Sequence, residues 1–408
     1  MSDGRSRAWI LVLAALAFLA DGVGTQAMGL ALPALLASWH LPRAALAVPT
    51  ALGLVGFAVG ALAGGFAGDR FGVFRALLAS LLLMGVSTAG CGLAHDVAQL
   101  GRWRLAAGVG LGASLPVAAT VIADFSTERR RGLNLAIGLA CLPLGGFVVG
   151  EAAAFILPAY GWRGLFFACG AVAAVLAVFA GFGGRVAHRL PYTTAPGAPV
   201  RQRGAFTLRL GVSARDTLGL WLAFFCTVLL YYSMFSWAPA ALSARGLPVA
   251  AVSRAVSAFS IGGLVGGLVT GMLLQRFGSR ACLALLGAGA MACGLVLPHV
   301  LPGSGAALTP LAITIALLGA TVIGIQTLLY ALCAEIYPVA HRAAGLGLAV
   351  GCGRVGAIAS SYTGVIALDR GGLQGFCASL VLAALIALAA GVLVSRQIPA
   401  RLGQASVG

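Results

Sequence analysis

Gly64-Gly65-Phe66-Ala67-Gly68-Asp69-Arg70-Phe71-Gly72-Val73-Phe74-Arg75 is the stretch on which the reading of this chain turns. Its centre, Arg70-Phe71-Gly72, returns 206 residues later as Arg276-Phe277-Gly278. The same offset of 206 carries Gly56 to Gly262, Gly60 to Gly266, Gly65 to Gly271, Pro33 to Pro239 and Leu41-Pro42 to Leu247-Pro248. A register held over two helix lengths makes the second half a diverged copy of the first. Both copies are apolar, so the expectation is two membrane-embedded halves facing each other across a path.

The rest of the composition agrees. Of the 408 residues, 60% are hydrophobic and only 9% charged, too few charges to cover a water-soluble protein of this length. The solvent must be mainly lipid. Apolar runs long enough to cross about 30 Å of hydrocarbon as helix recur throughout. They lie near 9–38, 46–68, 76–94, 99–123, 132–157, 164–184, 217–241, 253–274, 281–299, 306–333, 344–367 and 373–394. The predicted fold is therefore all-α, with twelve transmembrane helices in two pseudo-symmetric six-helix halves. The predicted domains are an N-terminal bundle (1–184), a cytoplasmic linker (185–215), a C-terminal bundle (216–395) and a cytoplasmic tail (396–408). Arg5, Arg7 and the run from Trp9 could mimic a signal peptide, but the run is too long and has no clear small-residue cleavage site, so it is kept as the first span.

A net charge of +16 would point to nucleic acid in a soluble protein, but its distribution excludes that. Every basic residue is arginine, and with the N-terminus inside most fall on cytoplasmic segments, with Arg43, Arg102, Arg163, Arg245, Arg254 and Arg370 outside. This bias puts both termini in the cytoplasm. The linker sets Arg185, His188, Arg189, Arg201, Arg203, Arg209 and Arg215 among three prolines, as a solvated tether or a lipid-headgroup contact. The nine cysteines fall almost wholly within spans and form no CxxC pair, so they read as small core residues. No metal site, cofactor or nucleic acid is expected, and a monomer in the bilayer is.

Gly65-x3-Asp69-Arg70-x-Gly72-x2-Arg75 closes the second span and opens the third. Chemically it offers a tight turn at Gly72 and an acid at a helix end that pairs with arginines of a neighbouring element. Such a pair can break and re-form as one side opens and closes. In the second copy Gln275 stands in place of the acid. A related acid-to-arginine spacing recurs in Asp124-x6-Arg131, with Glu128 between, and in Glu335-x6-Arg342; a plain salt-bridged loop is the alternative for both.

Four charges lie inside spans, where each is costly. Asp21, near mid-bilayer, can be neutral in one state and charged in another, as proton coupling requires, or can be the static partner of an arginine. Arg354, about 16 Å into the eleventh span, offers a bidentate fork to a carboxylate. Arg104 opens Arg-x3-Gly-x-Gly-x-Gly in the fourth span. Glu151 lies toward an outer end and could simply face water. Phe224, Phe225, Tyr231, Tyr232, Phe235 and Trp237 crowd the seventh span, and Gln326 and Tyr330 share a helix face at i, i+4. They form either a flat pocket for a ring-bearing ligand or an interfacial belt.

The loop run, the Arg104 run and the two acid-to-arginine spacings resemble signatures of the major facilitator superfamily. Over nearly the whole chain the residues resemble its aromatic acid:proton symporters. The resemblance rests on Asp21-Gly22 with Gln26-Ala27 and Pro33, on Arg104 through Pro116 with Glu128-Arg129-Arg130-Arg131, and on Gly161-Trp162-Arg163. It rests most specifically on Gly324-x-Gln326, Ala334-Glu335-x-Tyr337-Pro338, Arg342 and Gly353-Arg354-x-Gly356-Ala357. It departs at Gly24, where that family usually carries a second acid, and at Gln275. The resemblance implies an alternating-access transporter in a bacterial inner membrane, importing a small aromatic or related carboxylate with protons. Asp21 and Arg104 would serve proton coupling. Arg354, Tyr231, Tyr232, Trp237, Gln326 and Tyr330 would bind substrate. Asp69, Arg70, Gly72, Arg75, Asp124, Glu128, Arg131, Glu335 and Arg342 would form the inner gate. The rival is a proton-coupled exporter of the same fold, for which Pro143-x-Gly145-Gly146 is a weak signal. An enzyme is not expected, because no nucleophile–base pair or metal constellation is present.

Overall fold

A computed structural model of the chain describes residues 3–187, 213–300, 308–338 and 342–400, with the side chains of 3–5, 184–187 and 342–344 left out. Most of the predicted linker and the tail beyond Ala400 lie outside the described residues. Regular structure within them is helical: α1 (Asp3–Trp39), α2 (Ala47–Phe71), α3 (Val73–Gly92), α4 (Val97–Phe125), α5 (Glu128–Ala187), α6 (Ala214–Ser243), α7 (Val249–Val296), α8 (Thr309–Ile336) and α9 (Arg342–Val392). All nine are long and apolar enough to cross a membrane.

Three of these runs are too long for one crossing; the 60 residues of α5 would extend about 90 Å as a straight helix. Each is broken at one glycine: Gly161 (φ 65°, ψ −170°) in α5, Gly278 (φ 74°, ψ 171°) in α7 and Gly372 (φ 54°, ψ −143°) in α9. The breaks turn nine runs into twelve segments. Sequence reading puts loops of several residues at these places. The structure turns the chain at a single residue, because a glycine at positive φ reverses direction where a Cβ would clash. The opening echo is a repeat of backbone as well as sequence. Gly72 ends α2 at φ 88°, ψ 144°, and Gly278 takes nearly the same conformation 206 residues on.

The chain divides into two compact units, Met1–Gly204 and Ala205–Gly408. In the first, α2 lies on α4 with backbones in contact. A Cβ on Gly56, Gly60 or Gly64 would fall 2.2, 2.1 or 2.4 Å from the carbonyl oxygens of Leu105, Val109 and Ala113. From the other side, Gly108 and Gly112 meet the carbonyls of Gly53 and Phe57 at 2.1 and 2.0 Å. The second unit repeats the device between α7 and α8, where Gly262 and Gly266 meet Ala316 and Ala320, and Gly319 meets Phe259. Small residues give membrane helices this close approach, where lipid supplies no hydrophobic drive for association. Gly60→Leu is therefore expected to force α2 from α4 and cost at least about 1–3 kcal/mol by overpacking, read as a lower melting temperature in detergent. Gly65→Leu, whose Cβ would meet nothing within 4 Å, should melt like the parent.

The Gly161-Trp162-Arg163 turn fastens one end of the first unit. Trp162 Nε1 donates to Ser38 Oγ at 3.0 Å, its ring stands edge-on to Trp39, and the Arg163 guanidinium donates to the carbonyls of Gly92 and Ala94. In the second unit the segment after α9 is tied down. Ser395 donates from N and Oγ to the two carboxylate oxygens of Asp216, at 2.7 and 2.5 Å. Ser279, the residue after the Gly278 turn, donates from N to Ile398 O at 2.9 Å and accepts from Ile398 N at 2.8 Å. The beginnings of α6 and of the second arm of α7 are thus joined to the segment that follows α9. Asp216→Asn keeps one acceptor and loses the other, so it should destabilise the protein by about 1.5–3 kcal/mol. An unchanged melting temperature would show that this contact carries no stability.

Candidate functional site

Among the described residues, each unit holds a polar cluster inside its bundle. In the first, Asp21 of α1 is 1% exposed. Ser114 Oγ of α4 lies 2.6 Å from Asp21 Oδ1 and 2.9 Å from Leu111 O. Asp21 Oδ2 has no hydrogen-bond partner among the described residues. The carboxyl is placed by the backbone contact beside it: a Cβ on Gly22 would fall 2.0 Å from Leu142 O of α5, and one on Gly145 2.1 Å from Leu19 O. Gly145 of the Pro143-x-Gly145-Gly146 run therefore serves this α1–α5 crossing. The space at Gly24 is already filled, with Leu111 Cδ2 2.8 Å from the position of a Cβ.

Arg104 is also buried, at 5% exposure, but belongs to a different part of α4. It is ten residues from Ser114, about 15 Å along the helix. Its Nε and Nη1 have no hydrogen-bond partner among the described residues. Gly53 of α2 makes room for it, since a Cβ there would lie 2.9 Å from Nη2. The thiols of Cys91 and Cys169 are within electrostatic reach. The structure thus separates Asp21 from Arg104, which sequence reading grouped by chemistry.

The second unit brings most of the predicted binding residues together. Gly356 of α9 packs on the backbone of α6, where its Cβ would meet Phe225 O at 2.2 Å, and Gly353 faces Val228. This crossing turns Arg354 toward α6, where its Nη1 donates to Tyr232 Oη at 3.1 Å. Arg354 is half-buried and Tyr232 buried. The Tyr231 ring stands edge-on to Tyr232 at 5.2 Å and to Phe235 at 4.5 Å between centroids. On α8, Tyr330 is edge-on to Phe224 at 5.4 Å and hydrogen-bonds Gln326, one turn before it. Tyr330 and Tyr231 both lie within the electrostatic reach of Arg354. Trp237 differs from the group. It is fully buried, and the Cβ of an alanine at Gly364 would meet its indole at 2.3 Å. A void of about 10 Å³ bordered by Met234, Phe235 and Phe259 holds no more than about one water and is no ligand site.

The residues expected to form the inner gate sit at or near helix ends. Asp69, Arg70 and Arg75 are exposed around the Gly72 turn, and the Arg70 guanidinium lies over the Phe71 ring at 5.7 Å. The second copy reproduces this with Arg276 over Phe277 at 5.4 Å. Asp124 is half-buried near the end of α4, Glu128 is exposed in the first turn of α5, and Arg131 follows with Nε buried and unbonded among the described residues. Asn134 Nδ2 closes the α4–α5 corner on Ser126 Oγ at 2.8 Å. Glu335 is exposed on α8, and the side chain of Arg342 lies outside the described residues. Glu151 is half-buried on the first arm of α5. Sequence reading missed Ser114; its only signal is a hydroxyl among the small residues of an otherwise apolar helix.

A family model described as Major Facilitator Superfamily matches residues 14–361 and 246–407. Among curated proteins, the chain is 30% identical to the gallate transporter of Pseudomonas putida, over 92% of this chain and 91% of that one. It is 30% identical to the 4-hydroxybenzoate transporter PcaK of Pseudomonas aeruginosa, over 93% and 91%. The fold is similar to that of the xylose transporter XylE from E. coli in an inward open conformation, with TM-score 0.72 and 17% identity over 93% of this chain and 95% of that one.

Proposed function

We propose that this chain, which belongs to the Major Facilitator Superfamily, imports a small aromatic carboxylate together with protons. Membership makes it a multi-pass membrane transporter rather than an enzyme. The observation that carries the substrate class is Arg354, held by the Tyr232 hydroxyl beside the rings of Tyr231 and Tyr330. A guanidinium fork matches a carboxylate, and aromatic edges and faces match a ring. The names of the relatives, transporters of gallate and of 4-hydroxybenzoate, support the same class.

In the proposed cycle Asp21 takes a proton from outside and Arg354 binds the carboxylate, with Gln326 and Tyr330 along the ring. Arg104 is a buried cation that biases the first bundle electrostatically. The bundles then move as bodies, each kept rigid by its glycine crossings, and contacts of Asp69, Arg70, Arg75, Asp124, Glu128, Arg131, Glu335 and Arg342 break and re-form around hinges such as Gly72. The working unit is a monomer in the inner membrane of a bacterium with both termini in the cytoplasm, an orientation that the arginine distribution supports. The linker (185–215) joins the six-helix bundles 1–184 and 216–395, ahead of the tail 396–408.

Uptake of labelled 4-hydroxybenzoate, gallate and xylose by cells carrying the chain tests this reading. Accumulation of an aromatic acid and not xylose is expected. Xylose uptake, or outward flux of preloaded aromatic acid alone, would replace this reading with a sugar carrier or an exporter.

A further inference from the structure

We infer that Ser114 is a positioning residue for proton transfer at Asp21, whose hydroxyl passes the protonation state of that carboxyl to α4 by exchanging one hydrogen bond for another. The inference rests on the proposed proton-carrying role of Asp21. A serine hydroxyl has one proton to donate and lone pairs with which to accept. Ser114 Oγ has two oxygens in reach, Asp21 Oδ1 at 2.6 Å and Leu111 O at 2.9 Å. It cannot donate fully to both.

Two arrangements are therefore available. With Asp21 ionised, the carboxylate only accepts, so the Ser114 proton must point at Asp21 and Leu111 O keeps only its ordinary helical bond. With Asp21 protonated, its O–H donates to Ser114 Oγ, and the Ser114 proton turns to Leu111 O. The present geometry, with both contacts short and Asp21 Oδ2 buried without a partner, fits the protonated arrangement. An orphaned oxygen of a neutral acid is far cheaper to bury than one of a carboxylate. On release, the Asp21 O–H bond breaks and water takes the proton, while the Ser114 proton swings back to the carboxylate; Ser114 gives up no proton of its own.

The exchange reaches the backbone at a weak part of α4. Serine bonded to a carbonyl one turn back bends a helix. Two residues further on, Pro116 lacks the N–H that would have bonded Gly112 O. Leu111, whose carbonyl gains or loses the serine bond, also presses its side chain against Gly24 of α1. Proton loss thus changes α4 where it touches both α1 and, through Gly112, α2. The charged groups of the surrounding elements lie at a distance along their helices: Arg104 and Asp124 each ten residues from Ser114, Arg7 fourteen from Asp21, and Glu151 six from Gly145. Among the described residues, Ser114 is the hydrogen-bond partner of the carboxyl.

Ser114→Ala and Ser114→Thr, with Asp21→Asn beside them, test this in vesicles using labelled 4-hydroxybenzoate. Net uptake driven by a proton gradient is compared with exchange of internal for external substrate, which needs no proton release. Ser114→Ala should lose about tenfold in net uptake, the worth of one hydrogen bond to a charged group, and keep exchange within about twofold. Ser114→Thr, which restores the hydroxyl, should recover most of the loss. Equal loss of both modes, or no loss of either, overturns the inference and leaves Ser114 a packing residue. Threonine no better than alanine overturns it too. Parent uptake indifferent to the proton gradient would instead overturn the proposed function, and this inference with it.

Discussion

Asp21→Asn removes net proton-driven uptake, to below about one hundredth of the parent rate, and leaves substrate exchange running. Asparagine matches aspartate in shape, so the α1–α5 crossing at Gly22 and Gly145 is untouched. The amide can still meet the Ser114 hydroxyl, so the buried position stays satisfied. What it cannot do is bind and release a proton. An ionisable group inside a membrane helix is costly, so one held at full burial points to a use of this kind. The comparison of net uptake with exchange is the check. Uptake against a gradient persisting in Asp21→Asn would leave Asp21 a structural residue and move coupling elsewhere.

Arg354→Lys weakens binding of the aromatic acid by about 10–100-fold, with expression and melting temperature preserved. Lysine keeps the charge but replaces a planar fork with a single point donor. It also gives up the contact with Tyr232 Oη that fixes the direction of the side chain. The loss should appear in the substrate affinity of detergent-solubilised protein and in the KM of uptake. Trp237→Phe is the matching control. Its indole packs against Gly364 inside the bundle, so affinity should change little. An Arg354→Lys protein of parental affinity would remove the guanidinium from the binding site.

The architecture was legible because the repeat is written in glycine. Gly72 and Gly278 turn the chain through the same backbone conformation, and Gly56, Gly60, Gly262 and Gly266 make the same kind of helix crossing in both units. Span edges were less legible at Gly161, Gly278 and Gly372. An apolar pattern marks where a helix is buried but not how few residues its reversal takes.

The candidate site was legible where the chemistry is rare. Arg354 and Asp21 stand out as charges in apolar helices, and the Tyr232 hydroxyl proved to be a partner of Arg354. Ser114 was illegible, because one hydroxyl in a helix of small residues carries no periodic signal. The tie between Asp216 and Ser395 spans 179 positions, and no local pattern encodes it. Arg104 was read by its residue type, which does not reveal that it lies about three turns of α4 from the hydroxyl that meets Asp21.

The most direct measurement is uptake of labelled 4-hydroxybenzoate into proteoliposomes of the purified chain, with the outside made acidic. The account predicts accumulation above the external concentration, collapse of that accumulation on adding a protonophore, and acidification of the interior in step with substrate entry. Accumulation that ignores the protonophore, or movement of substrate only outward against the proton flow, would contradict it.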